Sequence, residues 1–467
     1  MRTEIGARLR IEDPSPALVR WCRAELELTN PEYVRRSRMG LWTGKTPRTL
    51  CLYAWDGPAL VLPFGCLREI LPYLEGEAVK TFPPGKLLDY APVEIPLYDY
   101  QETAAGALAR AKGGVLVAPA GSGKTQIGIA LAEALRVKTL WLTHTRDLLK
   151  QSRDRAAQYL PPDLLGTISE GRVQIGPFMT FATVQTLSRL DLDLYRDAWD
   201  CVIVDECHRV SGTPGAVTQF SKVLNRLRAR HKYGLTATAH RADGLMRAAY
   251  ALLGPVVWTV PPEAVKDRIL SVAVRPRRTG AALTQEARNP DGTLNYAKML
   301  SYLTQNRLRN TRILLDLVEN AEHSNLILSS RLDHLETLRD RLPKPLQASA
   351  ALLHGGQTSN AAKAQREQAI EDMRAGKLRY LFATYQLARE GLDIPRLDRL
   401  YLTTPQKDYA VITQSIGRVA RAFPGKTRPE VWDYVDADRY LERAWKTRCG
   451  HYRRAGCPII EEGGTNV

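Results

Sequence analysis

Short, wholly apolar runs recur along most of this chain, separated by stretches in which apolar residues fall every three or four positions. Val115-Leu-Val, Thr139-Leu-Trp-Leu, Cys201-Val-Ile-Val and the run ending at Leu235 have the length of strands buried on both faces. A second series begins near Gln305, with Asn325-Leu-Ile-Leu, Tyr380-Leu-Phe-Ala, Leu400-Tyr-Leu and Val431-Trp-Asp-Tyr-Val. Helical patterns lie between these runs, and that alternation predicts parallel sheets of the α/β class. The 467 residues exceed what a single core usually serves. The expected organisation is a small N-terminal accessory domain over residues 1–90, a first lobe over 91–260, a linker over 261–304 and a second lobe over 305–467. The stretch Pro92 to Pro96 marks the first boundary, and Pro261, Pro262, Pro276, Arg277 and Arg278 mark the linker.

Charge narrows the partners. Lys and Arg total 66 against 50 Asp and Glu, a formal net charge of +16, which favours a polyanion. Solvated surface charge would give the same total, so motifs must decide. No apolar run approaches the ~18 residues of a membrane span, and the N-terminus carries no apolar signal segment. A cytoplasmic protein without membrane contact is expected. Seven cysteines without a Cys-x-x-Cys pair suggest neither a disulfide framework nor a structural metal site.

The strongest local signal is Val115-Leu-Val-Ala-Pro-Ala-Gly-Ser-Gly-Lys-Thr125. A buried strand runs into a loop and then a helix, the order a phosphate cradle requires. Backbone N–H groups of Ala120, Gly121, Ser122 and Gly123 can converge on phosphate oxygens, and the helix N-terminus adds positive potential. Lys124 supplies a cation for the outer phosphates, and the Thr125 hydroxyl can ligate Mg²⁺. The first glycine of the general pattern is Ala118 here. Downstream, Cys201-Val-Ile-Val-Asp205-Glu206-Cys207-His208 ends a strand with adjacent acids. Neighbours on a strand point to opposite faces, so divided labour is expected: Asp205 for Mg²⁺, Glu206 for polarising the attacking water.

In this order the motifs resemble those of superfamily II helicases, in the XPB-like and phage UvsW-type branch, over about residues 97 to 437. The resemblance implies two RecA-like lobes, ATP with Mg²⁺, and a DNA helicase or translocase acting on single-stranded, forked or four-way DNA. Leu97-Tyr-Asp-Tyr-Gln101 resembles the adenine-recognition element, with Gln101 reading the base edge. Thr236-Ala-Thr238 resembles the coupling motif that, with His208, links the acidic site to motion. Gly391 and Asp393 resemble second-lobe residues near the nucleotide. Gln414, Arg418 and Arg421 resemble the arginine-finger helix, and their spacing puts all three on one helical face. Nucleic-acid contacts carried over by the resemblance are Thr145, Arg146, Thr183 and Gln185 in the first lobe, and Arg331, His354, Gly355 and Thr384 in the second. An RNA helicase and a non-catalytic binding module with a degenerate nucleotide site are the alternatives. A monomer is expected, with replication or recombination proteins as partners.

The flanks say less. Arg35, Arg36, Arg38 and Lys45 lie near Trp42, a basic patch with an aromatic that could stack on an exposed base, and Ala59-Leu-Val-Leu-Pro-Phe reads as core. The N-terminal domain is thus a duplex or branch reader, or a cap on the first lobe. Near the C-terminus, Leu441, Trp445 and Cys449 share a helical face, and Arg443, Lys446, Arg448, Arg453 and Arg454 make its surroundings basic.

Overall fold

The computed structural model describes residues 1–461 apart from 84, 240, 242, 267, 268, 356–359, 390 and 391. It divides into two compact units, Met1–Pro119 with Gly123–Pro262, and Glu263–Val467 with Ala120–Ser122.

The first unit opens with a small α/β module. Its strands are β1 (Arg2–Ile5), β2 (Arg8–Glu12), β3 (Glu27–Thr29), β4 (Thr49–Cys51), β5 (Ala54–Asp56), β6 (Ala59–Pro63) and β7 (Glu77–Lys80). Five make a sheet in the order β5-β6-β2-β1-β7, while β3 and β4 form a separate antiparallel pair. Alternation sets the inner face: Leu9 and Ile11 of β2 are buried and their neighbours are not. Against that face packs helix Pro16–Leu26, which buries Leu18, Cys22 and Leu26 at four-residue spacing. Ser15 starts the helix by accepting a hydrogen bond from the Leu18 N–H at 3.2 Å, with proline at the first helical position.

The rest of the unit is an eight-stranded sheet. Its strands are β8 (Gly114–Val117), β9 (Thr139–Thr143), β10 (Leu165–Ser169), β11 (Arg172–Gln174), β12 (Met179–Thr183), β13 (Cys201–Asp205), β14 (His231–Thr236) and β15 (Val256–Thr259). The order is β11-β10-β12-β9-β13-β14-β8-β15, parallel except for the β10–β11 hairpin. Every residue of β9, β12 and β13 is buried, the reason these strands read as unbroken runs rather than alternating ones.

Module and lobe share one core. Ala248 and Ala251 of helix Met246–Leu253 join Ile5, Leu9, Leu60 and Cys66 of the module. Gly65 lies so close to the backbone of Tyr250, Ala251 and Gly254 that a Cβ there would overlap it. Arg247 pairs with Glu69 at 2.9 Å across the same junction. The apolar run from Ala59 is β6 and buried, as expected.

The second unit has six strands among the described residues, β16 (Ala273–Arg278), β17 (Asn325–Ser329), β18 (Ala350–Leu353), β19 (Tyr380–Thr384), β20 (Arg399–Leu402) and β21 (Glu430–Val435). All pairings are parallel, in the order β16-β21-β20-β17-β19-β18. β16 falls within the stretch expected to be a linker. Its proline and arginines hid it, yet Pro276 is tolerated because β16 is an edge strand. Helix Arg439–Arg454 buries Leu441 and Trp445 as its periodicity predicts. Arg448, expected on a basic surface, is instead buried, and holds both carboxylate oxygens of Asp433 at 2.7 and 2.9 Å.

Candidate nucleotide site and nucleic-acid face

Parallel strands place their outgoing loops on one edge of a sheet, where ligands of α/β proteins gather. The first unit uses that edge throughout. β8 leads into the loop 118–123, where Gly121 and Gly123 take positive φ values of 88° and 79°, and Lys124 and Thr125 then open helix Lys124–Leu135. The Lys124 ammonium donates to the Ala118 carbonyl at 3.4 Å, so the lysine folds back over the loop it follows. Gln101 is buried in the first turn of helix Asp99–Ala111, and its Oε1 accepts from the Tyr98 N–H at 3.0 Å. Its amide nitrogen lies against Gly123, where no Cβ would fit. The sequence motif and the phosphate loop are therefore neighbours.

The acids follow β13, one strand removed from β8. Asp205 is the last residue of the strand and accepts from the Glu206 N–H at 2.9 Å. Glu206 is not on the strand, as the sequence suggested, but in the left-handed region at φ 49°. The two side chains are separated by that turn rather than by strand alternation. A non-glycine residue rarely occupies this region, and such conformations cluster at functional sites. Burial and the Glu206 charge push the Asp205 carboxyl up to about 7, against the pull of the Lys124 cation. The buried Asp205 carboxyl and the half-buried Glu206 carboxyl beside it make a hard-oxygen donor set with excess negative charge. That fits Mg²⁺.

A hydrogen-bonded cluster links the acids to β14. His208 is buried, with Nδ1 3.2 Å from Glu206 Oε2 and 3.1 Å from Thr236 Oγ1. Thr236 donates to the Thr238 carbonyl at 2.9 Å and accepts from the Thr238 N–H at 3.1 Å. His208 Nε2 and Thr238 Oγ1 are buried without a hydrogen-bond partner among the described residues, which leaves the cluster two open valences. Arg241, to which the sequence gave no role, clamps it from outside. Its guanidinium donates to the carbonyls of His208 at 2.8 Å and Val210 at 3.0 Å, and pairs with Asp243. Only its place just after the Thr-Ala-Thr motif could have signalled this.

The candidate nucleic-acid residues of this unit follow β9, which neighbours β13, and β12, which neighbours β9. Thr145, after β9, caps helix Arg146–Ala156 by accepting from the Leu148 N–H at 3.3 Å, and Arg146 pairs with Glu170. Thr183, the last residue of β12, lies 2.9 Å from the Thr186 hydroxyl, and Gln185 donates to the His144 carbonyl at 2.7 Å. One sheet edge thus carries the candidate phosphate-loop, acidic and coupling residues after β8, β13 and β14, with hydroxyls and amides after β9 and β12.

In the second unit, Arg331, His354 and Thr384 follow or end the adjacent strands β17, β18 and β19, and Gly355 is exposed. Arg331 donates to the Ser301 hydroxyl at 3.1 Å. Behind it runs a buried chain the sequence did not reveal. Ser329 accepts from the Arg331 N–H at 3.1 Å and meets His334 Nδ1 at 3.1 Å, while His334 Nε2 meets Asn310 Oδ1 at 3.0 Å. Burial lowers the His334 pKa to about 3, so the ring is neutral. Gln414 and Arg418 lie on helix Tyr409–Val419. Gln414 Oε1 is buried without a partner among the described residues. Arg418 donates to the carbonyls of Ala388 at 3.0 Å and Leu392 at 3.1 Å. Arg421, expected on the same helical face, lies beyond the helix end, in an isolated bridge with Ile269 and ion-paired to Asp393. The i+7 spacing overran a helix that stops at Val419. Gly391 lies outside the described residues.

Residues 94–241 match the family model described as type III restriction enzyme, res subunit, and residues 309–423 match helicase conserved C-terminal domain. Protein L396 of Acanthamoeba polyphaga mimivirus, provisionally named an ATP-dependent RNA helicase, is 26% identical over 354 residues, or 73% of this chain and 64% of that protein. DNA 3'-5' helicase XPB of Kineococcus radiotolerans is 26% identical over 348 residues, or 70% of this chain and 56% of that one. The chain thus spans less than two thirds of either relative. Among solved structures, Dbp5 of S. cerevisiae bound to RNA and ADP BeF3 superposes with a TM-score of 0.53 at 18% identity, covering 78% of this chain and 89% of Dbp5. At that identity the likeness concerns the fold alone.

Proposed function

This chain belongs to the superfamily II helicases, and from that premise we propose that it is an ATP-dependent DNA helicase or translocase acting on forked or branched DNA. The observation that carries the reading is the single edge of the first sheet, where phosphate-binding, acidic and coupling residues adjoin candidate strand-contacting ones. Lys124 and the N–H groups of residues 120–123 hold the triphosphate of ATP. Glu206 orients the attacking water, and Arg418 and Arg421 stabilise charge on the transferred phosphoryl group. Asp205 and Thr125 would hold Mg²⁺, which when bound neutralises charge on the phosphates. His208, Thr236 and Thr238 pass the state of the acidic site to the strand-contacting loops. Hydroxyl, amide and backbone groups suit sugar-phosphate contacts that position a strand without reading its sequence.

An RNA track is the second reading, favoured by the name given to L396. A panel of single-stranded, duplex, forked and four-way DNA, with RNA of equal length, decides between them when scored for ATP consumption and strand separation. Forked or four-way DNA should stimulate hydrolysis most. No stimulation by any nucleic acid at low salt sinks the motor reading, and a clear preference for RNA replaces DNA as the track.

A further inference from the structure

The N-terminal module carries an arm that neither the nucleotide site nor the sheet edge uses. Residues 31–48 leave the module and return to it through a narrow neck. At the neck, β3 pairs with β4, and buried Asn30 ties the two ends. Its N–H donates to the Arg48 carbonyl at 2.9 Å, and its Nδ2 donates to the Pro47 carbonyl at 2.7 Å. Its Oδ1 caps helix Pro31–Arg38 through the Glu32 N–H at 3.0 Å.

That helix buries no residue at all, so it does not serve the core. Beyond it the chain turns to present Met39, Leu41 and Trp42, exposed by 63%, 52% and 81%. The turn is built, not loose. Leu41 N–H donates to the Arg36 carbonyl at 2.9 Å, and the Arg36 guanidinium donates to the Trp42 carbonyl at 3.3 Å. Gly44, at φ 43°, lies against the six-membered ring of Trp42, where any Cβ would collide. An ordered tryptophan held out into solvent is unexplained by folding.

Charge says what it could meet. The arm has five basic residues, Arg35, Arg36, Arg38, Lys45 and Arg48, against one acid. Glu32 is already paired with Arg35 and Arg36, each at 2.8 Å. Arg38, Lys45 and Arg48 are exposed and make no ion pair among the described residues. Flat aromatic surface beside unpaired cations complements a nucleobase and its flanking phosphates.

We propose that this arm is a second DNA-contacting site, in which Trp42 stacks on an unpaired base at a duplex end or fork and Arg38, Lys45 and Arg48 engage the adjoining phosphates. The proposal rests on the DNA-motor reading for its ligand, but its test does not need hydrolysis. Anisotropy of a labelled fork, with 2-aminopurine at the junction, reports binding by the full chain without ATP. Trp42→Ala should weaken fork binding about tenfold, the scale of one lost base stack, and abolish 2-aminopurine quenching. Trp42→Phe should restore most of both. Replacing Arg38, Lys45 and Arg48 together by Ala should lower the slope of log affinity against log salt by about 2. All these side chains are exposed, so thermal midpoints should match the unmodified chain. Fork binding and quenching unchanged in Trp42→Ala overturn the proposal. So does Trp42-dependent binding to phosphatidylglycerol vesicles with fork affinity unaltered, which would make the arm a membrane contact. An unmodified chain whose ATPase ignores every nucleic acid would remove the motor reading alone, since the anisotropy arm stands apart from it.

Discussion

Replacing Lys232 with methionine should change how the stability of the first unit depends on pH. Lys232 stands near the start of β14 and is fully buried. Its Nζ donates to the Leu224 carbonyl at 2.7 Å and to the Ala7 carbonyl of the module at 3.1 Å, and lies 4.9 Å from the centre of the Phe64 ring. Burial lowers its pKa from 10.5 to about 7. The neutral amine still offers two N–H donors for two carbonyls. Between those pKa values the unfolded chain binds the extra proton, so stability rises with pH through the window and is lost as pH falls towards 7. From pH 7.5 to 9.5 nearly a full proton separates the states, a gain of roughly 2 to 3 kcal/mol. Lys232→Met has no such term. It also leaves both carbonyls unsatisfied, a cost of about 1–3 kcal/mol for each, offset at low pH because no charge is buried. The stability of the unmodified chain relative to Lys232→Met should therefore rise by roughly 2 to 3 kcal/mol from pH 7.5 to 9.5. Urea unfolding of the full chain measures this, with the first unit's transition followed by hydrogen-exchange mass spectrometry of peptides from residues 1–83 and 201–236. Taking the gap between the variants cancels every other titrating group. A gap of constant size at both pH values refutes the reasoning.

Outcomes for five other substitutions follow from the geometry. Lys124→Ala should abolish ATP turnover, while Arg418→Ala should keep nucleotide binding, read by equilibrium titration, and lose hydrolysis by roughly three orders of magnitude; wild-type rates in both would reject these roles. His208→Ala should preserve nucleic-acid-stimulated ATPase to within a few-fold but raise the ATP consumed per base pair separated, whereas hydrolysis and strand separation falling together would make His208 part of the hydrolytic site instead. Gly65→Val should force the module off helix Met246–Leu253, with a loss of at least about 1–3 kcal/mol and new protease sensitivity in residues 1–83. Arg448→Ala should destabilise the second unit by about 3–5 kcal/mol in chemical denaturation, because Asp433 is left buried and unpaired; a near-neutral result would mean that water reaches Asp433.

Much of the architecture was legible because the two sheets are parallel and covered on both faces, so that central strands such as β9, β13 and β17 appear as unbroken apolar runs. Edge strands lack that mark. β16, with sequence Ala-Val-Arg-Pro-Arg-Arg, shows one face to a neighbour and reads as a linker. The phosphate loop was legible for a different reason: its glycines, lysine and threonine are local, and need only the strand before and the helix after. Residues that act through distant partners left no such trace. Arg241 matters through two carbonyls some thirty positions upstream, His334 through Asn310, and Arg448 through a carboxylate on β21. Glu206 was placed on the strand because sequence spacing cannot show a left-handed turn, and Arg421 was placed on a helix because spacing cannot show where a helix stops.

The shared core of module and ATPase lobe has a mechanical corollary. Alanines from helix Met246–Leu253 sit among the module's own leucines, and Gly65 closes the joint to backbone distance. Such a joint leaves no linker between the module and helix Met246–Leu253, so a pull on the module's sheet is borne directly by the lobe it packs on. Under optical-trap tension, the module and the first lobe should yield as one body, in a single rip rather than two.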